Sequence, residues 1–212
     1  MARSTYHHGD LRRALVTAAL ELVRSGGPSG VTVREVARRV EVSPAAIYRH
    51  FPDREALLGE VARLARRDIA RRMLDEVENV DEADPRTRSI RRFLAVGHGY
   101  LGFAEQEPKL LAAAFLPSLL DDGHAESPNP WHVLAAALDE LVLTGAMPAE
   151  RRSGAETIAW STVHGFATLR ANHSFQVSGE PEPDADALLD AIARSLDVEL
   201  PPTSTRAPWR SA

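Results

Sequence analysis

Cysteine is absent from the 212 residues, and lysine occurs once, at Lys109. Without cysteine there is no disulfide scaffold, no cysteine nucleophile and no thiolate zinc site. Long hydrophobic runs are lacking too. The longest, Leu110 to Leu120, is broken by Pro117 and Ser118 and falls short of the ~20 apolar residues that a membrane-spanning helix needs. The first ten residues lack the apolar stretch of a secretory signal. No His-Glu-x-x-His pair, Gly-x-Ser-x-Gly elbow, phosphate-binding glycine loop or dinucleotide fingerprint occurs, so no catalytic, cofactor or metal assignment has a motif beneath it. The expectation is a cytoplasmic protein that is not an enzyme, carries no cofactor and has no membrane partner.

What is present is a soluble globular composition, 44% hydrophobic and 26% charged, with a formal charge of −5. That total hides an asymmetry. Residues 1–72 carry +6, with arginine as their sole Lys/Arg type, and residues 73–212 carry −11. A basic segment on an acidic body points to a polyanion as the partner of the first third.

Helix starts are written clearly. Thr32 and Glu35 have the spacing of a capping box. Ser43-Pro44, Asp84-Pro85 and Asn129-Pro130 place an N-cap before a proline, and Asp53 can cap the segment that follows it. Apolar residues recur at helical spacing, as in Leu11, Leu15, Ala18 and Leu22, and nowhere alternate as in a strand. The chain reads as all-α, with helices over 9–25, 32–39, 43–50, 54–78, 85–106, 108–120, 130–144, 148–173 and 184–197. The Pro/Ser/Thr-rich tail, 201–212, is expected to be disordered.

Two short helices, 32–39 and 43–50, are joined by about four residues centred on Glu41-Val42, the layout of a helix-turn-helix. Val36, Ala37, Val40, Val42, Ile47 and Phe51 are spaced to pack inward. Arg34, Pro44, Ala45, Ala46, Tyr48, Arg49 and His50 then face outward. Small residues at the start of the second helix allow close approach to base edges. Arg34 and Arg49 can each grip guanine O6 and N7, whereas Tyr48, His50 and Arg54 suit phosphate oxygens. The plainer alternative is a three-helix cap whose arginines are merely solvated.

The stretches Gly9-Asp-Leu-Arg-Arg13, Gly30-Val-Thr-Val-Arg-Glu-Val-Ala37 and Val42-Ser-Pro-Ala-Ala-Ile-Tyr-Arg-His-Phe-Pro-Asp-Arg-Glu-Ala-Leu-Leu58 closely resemble the DNA-binding domain of TetR-family repressors. The resemblance implies an N-terminal three-helix helix-turn-helix domain (1–53), then a helical bundle for ligand binding and dimerisation (54–200). It implies a homodimer that binds a palindromic double-stranded DNA operator and releases it when a small molecule fills the body. Carried over by position, Arg34, Pro44, Ala45, Ala46 and Arg49 would read bases, and Thr32, Tyr48, His50 and Arg54 would hold phosphates. Glu41 departs from the family, whose turn usually has glycine. A left-handed glutamate there costs about 1 kcal/mol, so the turn should survive.

Further on, Trp160, His164 and Gly165 resemble the Trp…His-Gly element that names one group of TetR-family C-terminal domains. Trp160 and His164 share a helix face, which could line a pocket, pack in the core or join a dimer interface. Phe93, Gly97, Tyr100, Leu101 and Phe103 mark a second aromatic stripe, and Phe115, Trp131 and His132 a third cluster. His98 and Tyr100 are the candidate polar groups, and with Phe103, Phe115, Trp131, Trp160 and His164 they make seven candidates. All seven are candidate ligand contacts, and core packing remains the alternative for each. Gly165, in mid-helix, costs roughly 1 kcal/mol relative to alanine and predicts close approach by another helix. The resemblance implies a four-helix dimer interface of helices 148–173 and 184–197. Ala159, Val163, Phe166 and Leu169 with Leu188, Leu189, Ile192 and Leu196 supply apolar faces, and closing the protomer's own core is the alternative. The expected function is ligand-responsive repression by a hydrophobic or aromatic effector. The alternatives are a helical ligand-binding or scaffolding dimer that no longer reads DNA, and an activator of the same architecture.

Overall fold

Helix caps set the order of the elements. A computed structural model describes residues 8–116, 128–178 and 184–201; among them are ten α-helices with short 3-10 turns, and no strand. Ser43 Oγ accepts from the Ala46 amide at 3.3 Å, Asp53 Oδ1 from Ala56 at 2.7 Å, Asp84 Oδ2 from Thr87 at 2.8 Å and Asn129 Oδ1 from Trp131 at 2.9 Å. Each such cap contributes about 1 kcal/mol. The expected capping box is only half made. Thr32 Oγ1 accepts from the Glu35 amide at 3.2 Å, but the Glu35 carboxylate turns away to Arg38, 2.6 Å distant, instead of reaching back. A charged partner on its own helix outcompetes a backbone amide.

The described residues form two compact units. The first holds α1 (His8–Gly26), α2 (Val33–Val40), α3 (Pro44–Tyr48), the start of α4 (Arg54–Glu78) and α6 (Pro108–Ala114). Leu15, Val23, Val31, Val36, Ile47, Phe51, Leu57 and Val61 are buried in it. Arg66 is buried as well, its Nη1 donating to the Ala114 carbonyl at the end of α6 at 2.9 Å. The second unit holds the rest of α4, α5 (Pro85–Gln106), α7 (Pro130–Leu143), α8 (Ala155–Ala171), α9 (Ser174–Ser178) and α10 (Ala185–Ser195). Its core gathers around α5, whose Ile90, Phe93, Val96, Tyr100 and Phe103 are buried with Leu134, Leu138, Phe166, Leu189 and Ile192.

Several expectations shift. The division falls at Arg66, inside α4, where the sequence suggested 53, and α6 belongs with the first unit. The helix expected over 108–120 ends at Ala114, and 117–120 lie outside the described residues, as do 202–212 of the tail. The helix expected over 148–173 is interrupted: Gly154, at φ 79°, separates a 3-10 turn (Ala149–Arg151) from α8. The tight glycines are not the expected one. An added Cβ on Gly165 would meet nothing within 4 Å, whereas one on Gly97 would overlap the Leu189 side chain.

Candidate nucleic-acid interface and effector cavity

The turn between α2 and α3 is built on Glu41, which takes the left-handed conformation, φ 57° and ψ 40°. Its amide donates to the Arg38 carbonyl at 3.3 Å, and the Val42 amide donates to Ala37 at 3.0 Å. These bonds satisfy the last carbonyls of α2 and redirect the chain within two residues, the work usually given to glycine. α3 then starts at Pro44 and is fixed from beneath by Ile47, which has no exposed surface.

On the outer side, Thr32, Arg34, Pro44, Ala45, Tyr48 and Arg49 are exposed, and Ala46 and His50 are partly exposed. Tyr48 is 55% exposed, uncommon for so large a ring. Nearby arginines are engaged: Arg38 with Glu35 and Arg39 with Glu21. Among the described residues, Arg34 and Arg49 have no ion pair or hydrogen bond through their side chains, which keeps both guanidinium forks available. Thr32 uses an oxygen lone pair for its cap and retains a hydroxyl proton to donate.

Arg54 differs from the expectation. Its Nε donates to the Val31 carbonyl and its Nη2 to the Pro28 carbonyl, both at 2.6 Å, while Nη1 sits 3.2 Å from Glu55. Two of the three nitrogens tie the start of α4 to the turn before α2 and the third pairs with the neighbouring Glu55, so the guanidinium is largely committed within the protein. Arg12 carries a role the sequence reading missed. Its Nη1 donates to the His50 carbonyl at 3.0 Å, and its guanidinium lies 4.3 Å from the centre of the Phe51 ring, so α1 holds the end of the recognition segment. Its place in Gly9-Asp-Leu-Arg-Arg13 was the available signal.

The second unit contains a small pocket, about 30 Å³ in volume and partly open to solvent. Five helices contribute, among them through Met73 (α4), Phe93 and Tyr100 (α5), Leu134 (α7), Trp160 (α8) and Leu189 (α10), and none of the eleven lining residues is charged. Tyr100 Oη lies 2.7 Å from His164 Nδ1. The Tyr100 ring meets Trp160 edge-on at 5.4 Å between centroids, and His164 stacks on Trp160 at 6.5 Å and 19°. Trp131, 42% exposed, lies 5.8 Å from Trp160 on the outer side of this cluster. Burial pushes the Tyr100 hydroxyl far above its ordinary pKa and pulls His164 below the usual imidazole value, so both are neutral near pH 7.

Of the expected contacts, Tyr100 and Trp160 stand in the wall, and His164 and Trp131 touch those two. The other three do not join them. His98 Nε2 faces Asp186 at 3.1 Å, since two residues' displacement along α5 carries it to another side of the helix. Phe103 is buried with the Arg72 guanidinium 5.9 Å from its ring centre. Phe115 belongs to the first unit. The expected dimer faces shift in the same way. Ala159, Val163, Phe166, Leu189, Ile192 and Leu196 are buried within the unit, which leaves Leu169, at 46%, and the partly exposed Leu188. The outward stripe on α8 is instead Ile158, Thr162, Gly165 and Leu169.

Two family models match this chain. Residues 15–61 match bacterial regulatory proteins of the tetR family, and residues 93–196 match the tetracyclin repressor-like C-terminal domain. The chain belongs to the TetR family. It is therefore a transcriptional regulator with an N-terminal helix-turn-helix, of a family whose members bind DNA operators and small-molecule effectors and form homodimers. The Trp…His-Gly grouping gains no support from the C-terminal match. Among TetR-family relatives, an uncharacterized HTH-type transcriptional regulator of Bacillus subtilis, YobS, is 23% identical over 169 residues, 79% of this chain and 83% of that protein. A solved structure of a protein of unknown function from Rhodococcus sp. RHA1 is 27% identical, with a TM-score of 0.70, covering 92% of this chain and 99% of that one. RolR, solved in complex with resorcinol, shares the fold at 18% identity and a TM-score of 0.58, covering 90% of this chain and 89% of that one. No helix among the described residues is long and apolar enough to cross a membrane.

Proposed function

We propose that this TetR-family regulator is a cytoplasmic repressor that binds a palindromic operator as a homodimer and releases it when an apolar small molecule occupies the α4–α10 cavity. The observation that carries the DNA-binding part is the pair Arg34 and Arg49. They are exposed and, among the described residues, carry no side-chain ion pair or hydrogen bond, beside neighbours whose guanidinium groups are already committed. Arg34 and Arg49 would read bases, and Pro44, Ala45 and Ala46 would allow close approach. Thr32, Tyr48 and His50 would hold phosphates and set register.

Dimerisation would use the outward stripe of α8, Ile158, Thr162, Gly165 and Leu169, with the exposed side of α10. A second copy packed there would supply the close neighbour that Gly165 lacks within the protomer. Two recognition helices about 34 Å apart would then enter successive major grooves. α4 carries the signal in this reading, because it runs unbroken from Arg54 to Met73 in the cavity wall. A ligand must prefer one of the two states, typically by 1–3 kcal/mol, to act as a switch.

The test is footprinting of the purified protein on genomic fragments of its source, including the region beside its own gene. A protected palindrome that disappears in the Tyr48→Ala, Arg49→Ala double variant supports operator binding. A dimer free of bound small molecule that protects nothing even at low salt, where phosphate contacts are strongest, overturns it.

A further inference from the structure

We propose that Arg12, on α1, is a positioning residue for sequence reading: it fixes the backbone at Arg49, and so the aim of the Arg49 guanidinium, without itself holding DNA. The proposal rests on reading Arg49 as a base contact.

α3 is too short to hold its own shape. Its five residues close few internal hydrogen bonds, so it must be fixed from beneath and at both ends. Ser43 caps the start through the Ala46 amide, and the fully buried Ile47 anchors the middle. Arg49 closes the far end and is exposed. Directly after it, the His50 and Phe51 amides both donate to the Ile47 carbonyl, at 2.8 and 2.9 Å. Arg12 then grips these same two residues from α1. Its Nη1 donates to the His50 carbonyl at 3.0 Å, and its guanidinium lies 4.3 Å from the centre of the buried Phe51 ring. A cation at the C-terminal end of a helix is favourable in its own right, and stacking on the ring adds to it.

The surroundings of Arg12 argue against a phosphate role. The Glu60 carboxyl, bonded to Arg63 at 2.9 Å, is held below its ordinary pKa chiefly by that partner and in smaller part by the Arg12 charge. A carboxylate within reach of the same guanidinium disfavours a phosphate beside it. Arg12 therefore faces a carbonyl, a ring and a carboxylate of its own protein. What it controls is the chain immediately beyond Arg49. A bidentate grip on guanine depends on the direction of the arginine fork, and that direction follows the backbone from which the side chain springs.

Arg12→Lys separates positioning from charge. Lysine keeps the positive charge and can still bind phosphate, but it has no planar fork to stack on Phe51 while bonding a carbonyl. Competition binding of the full chain would use the footprinted operator, its single-base-pair variants and a non-operator duplex, at several salt concentrations. Arg12→Lys is expected to lower the preference for operator over non-operator DNA by about fivefold, the lower end of what a bidentate arginine–guanine contact is worth. The loss should fall at the base pair whose discrimination Arg49→Ala removes. Adding Arg12→Lys to Arg49→Ala should cost nothing further there, and non-operator binding and the salt slope should match the parent. An operator preference unchanged in Arg12→Lys, with only a lower melting temperature, makes Arg12 a brace of the fold and overturns the proposal. So does a near-parental Arg12→Lys beside an Arg12→Ala whose salt slope is reduced by about 0.9, the mark of a lost phosphate contact. Losses that add in the double variant, or that spread evenly over the operator, overturn it too. If Arg49→Ala itself leaves base preference intact, the base-reading assignment fails and this proposal falls with it.

Discussion

A Cβ built on Gly99 would lie 2.6 Å from the Met73 Cα and 2.8 Å from the Arg72 carbonyl oxygen. The distal part of α4 and the middle of α5 therefore touch backbone to backbone, one residue from Tyr100 and at the methionine that lines the cavity. No side-chain rotation can relieve a methyl group inserted there. Gly97, two residues earlier, is crowded only by the Leu189 side chain, which can turn.

Gly99→Ala is accordingly expected to lower unfolding free energy by about 1–3 kcal/mol through overpacking. Gly97→Ala should cost less in stability but more in ligand affinity, because it narrows the cavity from its α5 wall. Urea denaturation of both variants checks the order, and a Gly99→Ala protein as stable as the parent would contradict the backbone contact.

Glu41 predicts the opposite sign. Its φ of 57° is unfavourable for a residue with a Cβ, by roughly 1 kcal/mol. Glu41→Gly should raise the denaturation midpoint by an amount worth about 0.5–1 kcal/mol, part of the gain being offset by the greater freedom of glycine in the unfolded chain. The substitution leaves Arg34 and Arg49 in place, so operator affinity should stay within a few fold.

What the sequence disclosed and what it hid divide along one physical line. Caps and the left-handed turn are local: Thr32, Ser43, Asp53, Asp84 and Asn129 each act on an amide two or three residues away, and Glu41 stood out as the wrong residue for its turn. Arg34, Tyr48 and Arg49 were legible for the same reason, since helical spacing alone turns them outward. Long-range partners were not. Nothing in the spacing of α5 says that Gly99 meets Met73 or that His98 turns to Asp186. Nor does it say that Arg54 reaches back to carbonyls more than twenty positions earlier. Of the aromatic residues at helical spacing, Tyr100 and Trp160 stand in the cavity wall. Phe103 and Phe115 lie away from it; an aromatic stripe looks the same in a core as in a cavity wall.

The reassignment of Arg54 has a measurable consequence. If its guanidinium braces the turn at Pro28–Val31, Arg54→Ala should destabilise the first unit by about 1–3 kcal/mol. Tyr48→Phe should leave stability untouched and weaken DNA binding to all sequences alike. Arg34→Ala should also be neutral for stability but relax discrimination at one base pair. Thermal melts beside competition binding on operator variants separate the three. An Arg54→Ala protein of parental stability that loses a phosphate contact would restore the phosphate role.

His164 gives the protein a pH dependence of definite sign. Burial lowers its pKa in the folded state below the unfolded value of about 6.5. Between those two values the unfolded chain binds more protons, so stability rises with pH through the window and is lost on acidification from about 6.5 downward. Asp84 and Glu60 are also shifted, Asp84 chiefly by the Thr87 amide and Glu60 by Arg63, and both pKa values are lowered. Their contribution is complete above their unfolded values and is lost only as pH falls below about 4.5. Acidification from about pH 7.5 to 5.5 therefore isolates the imidazole from these carboxylates. The melting temperature should fall over that interval in the parent and fall less in His164→Asn, whose side chain does not titrate. Equal losses in the two proteins would mean that protonating His164 is no harder in the folded chain than in the unfolded one, and the neutral Tyr100–His164 pair would have to be abandoned.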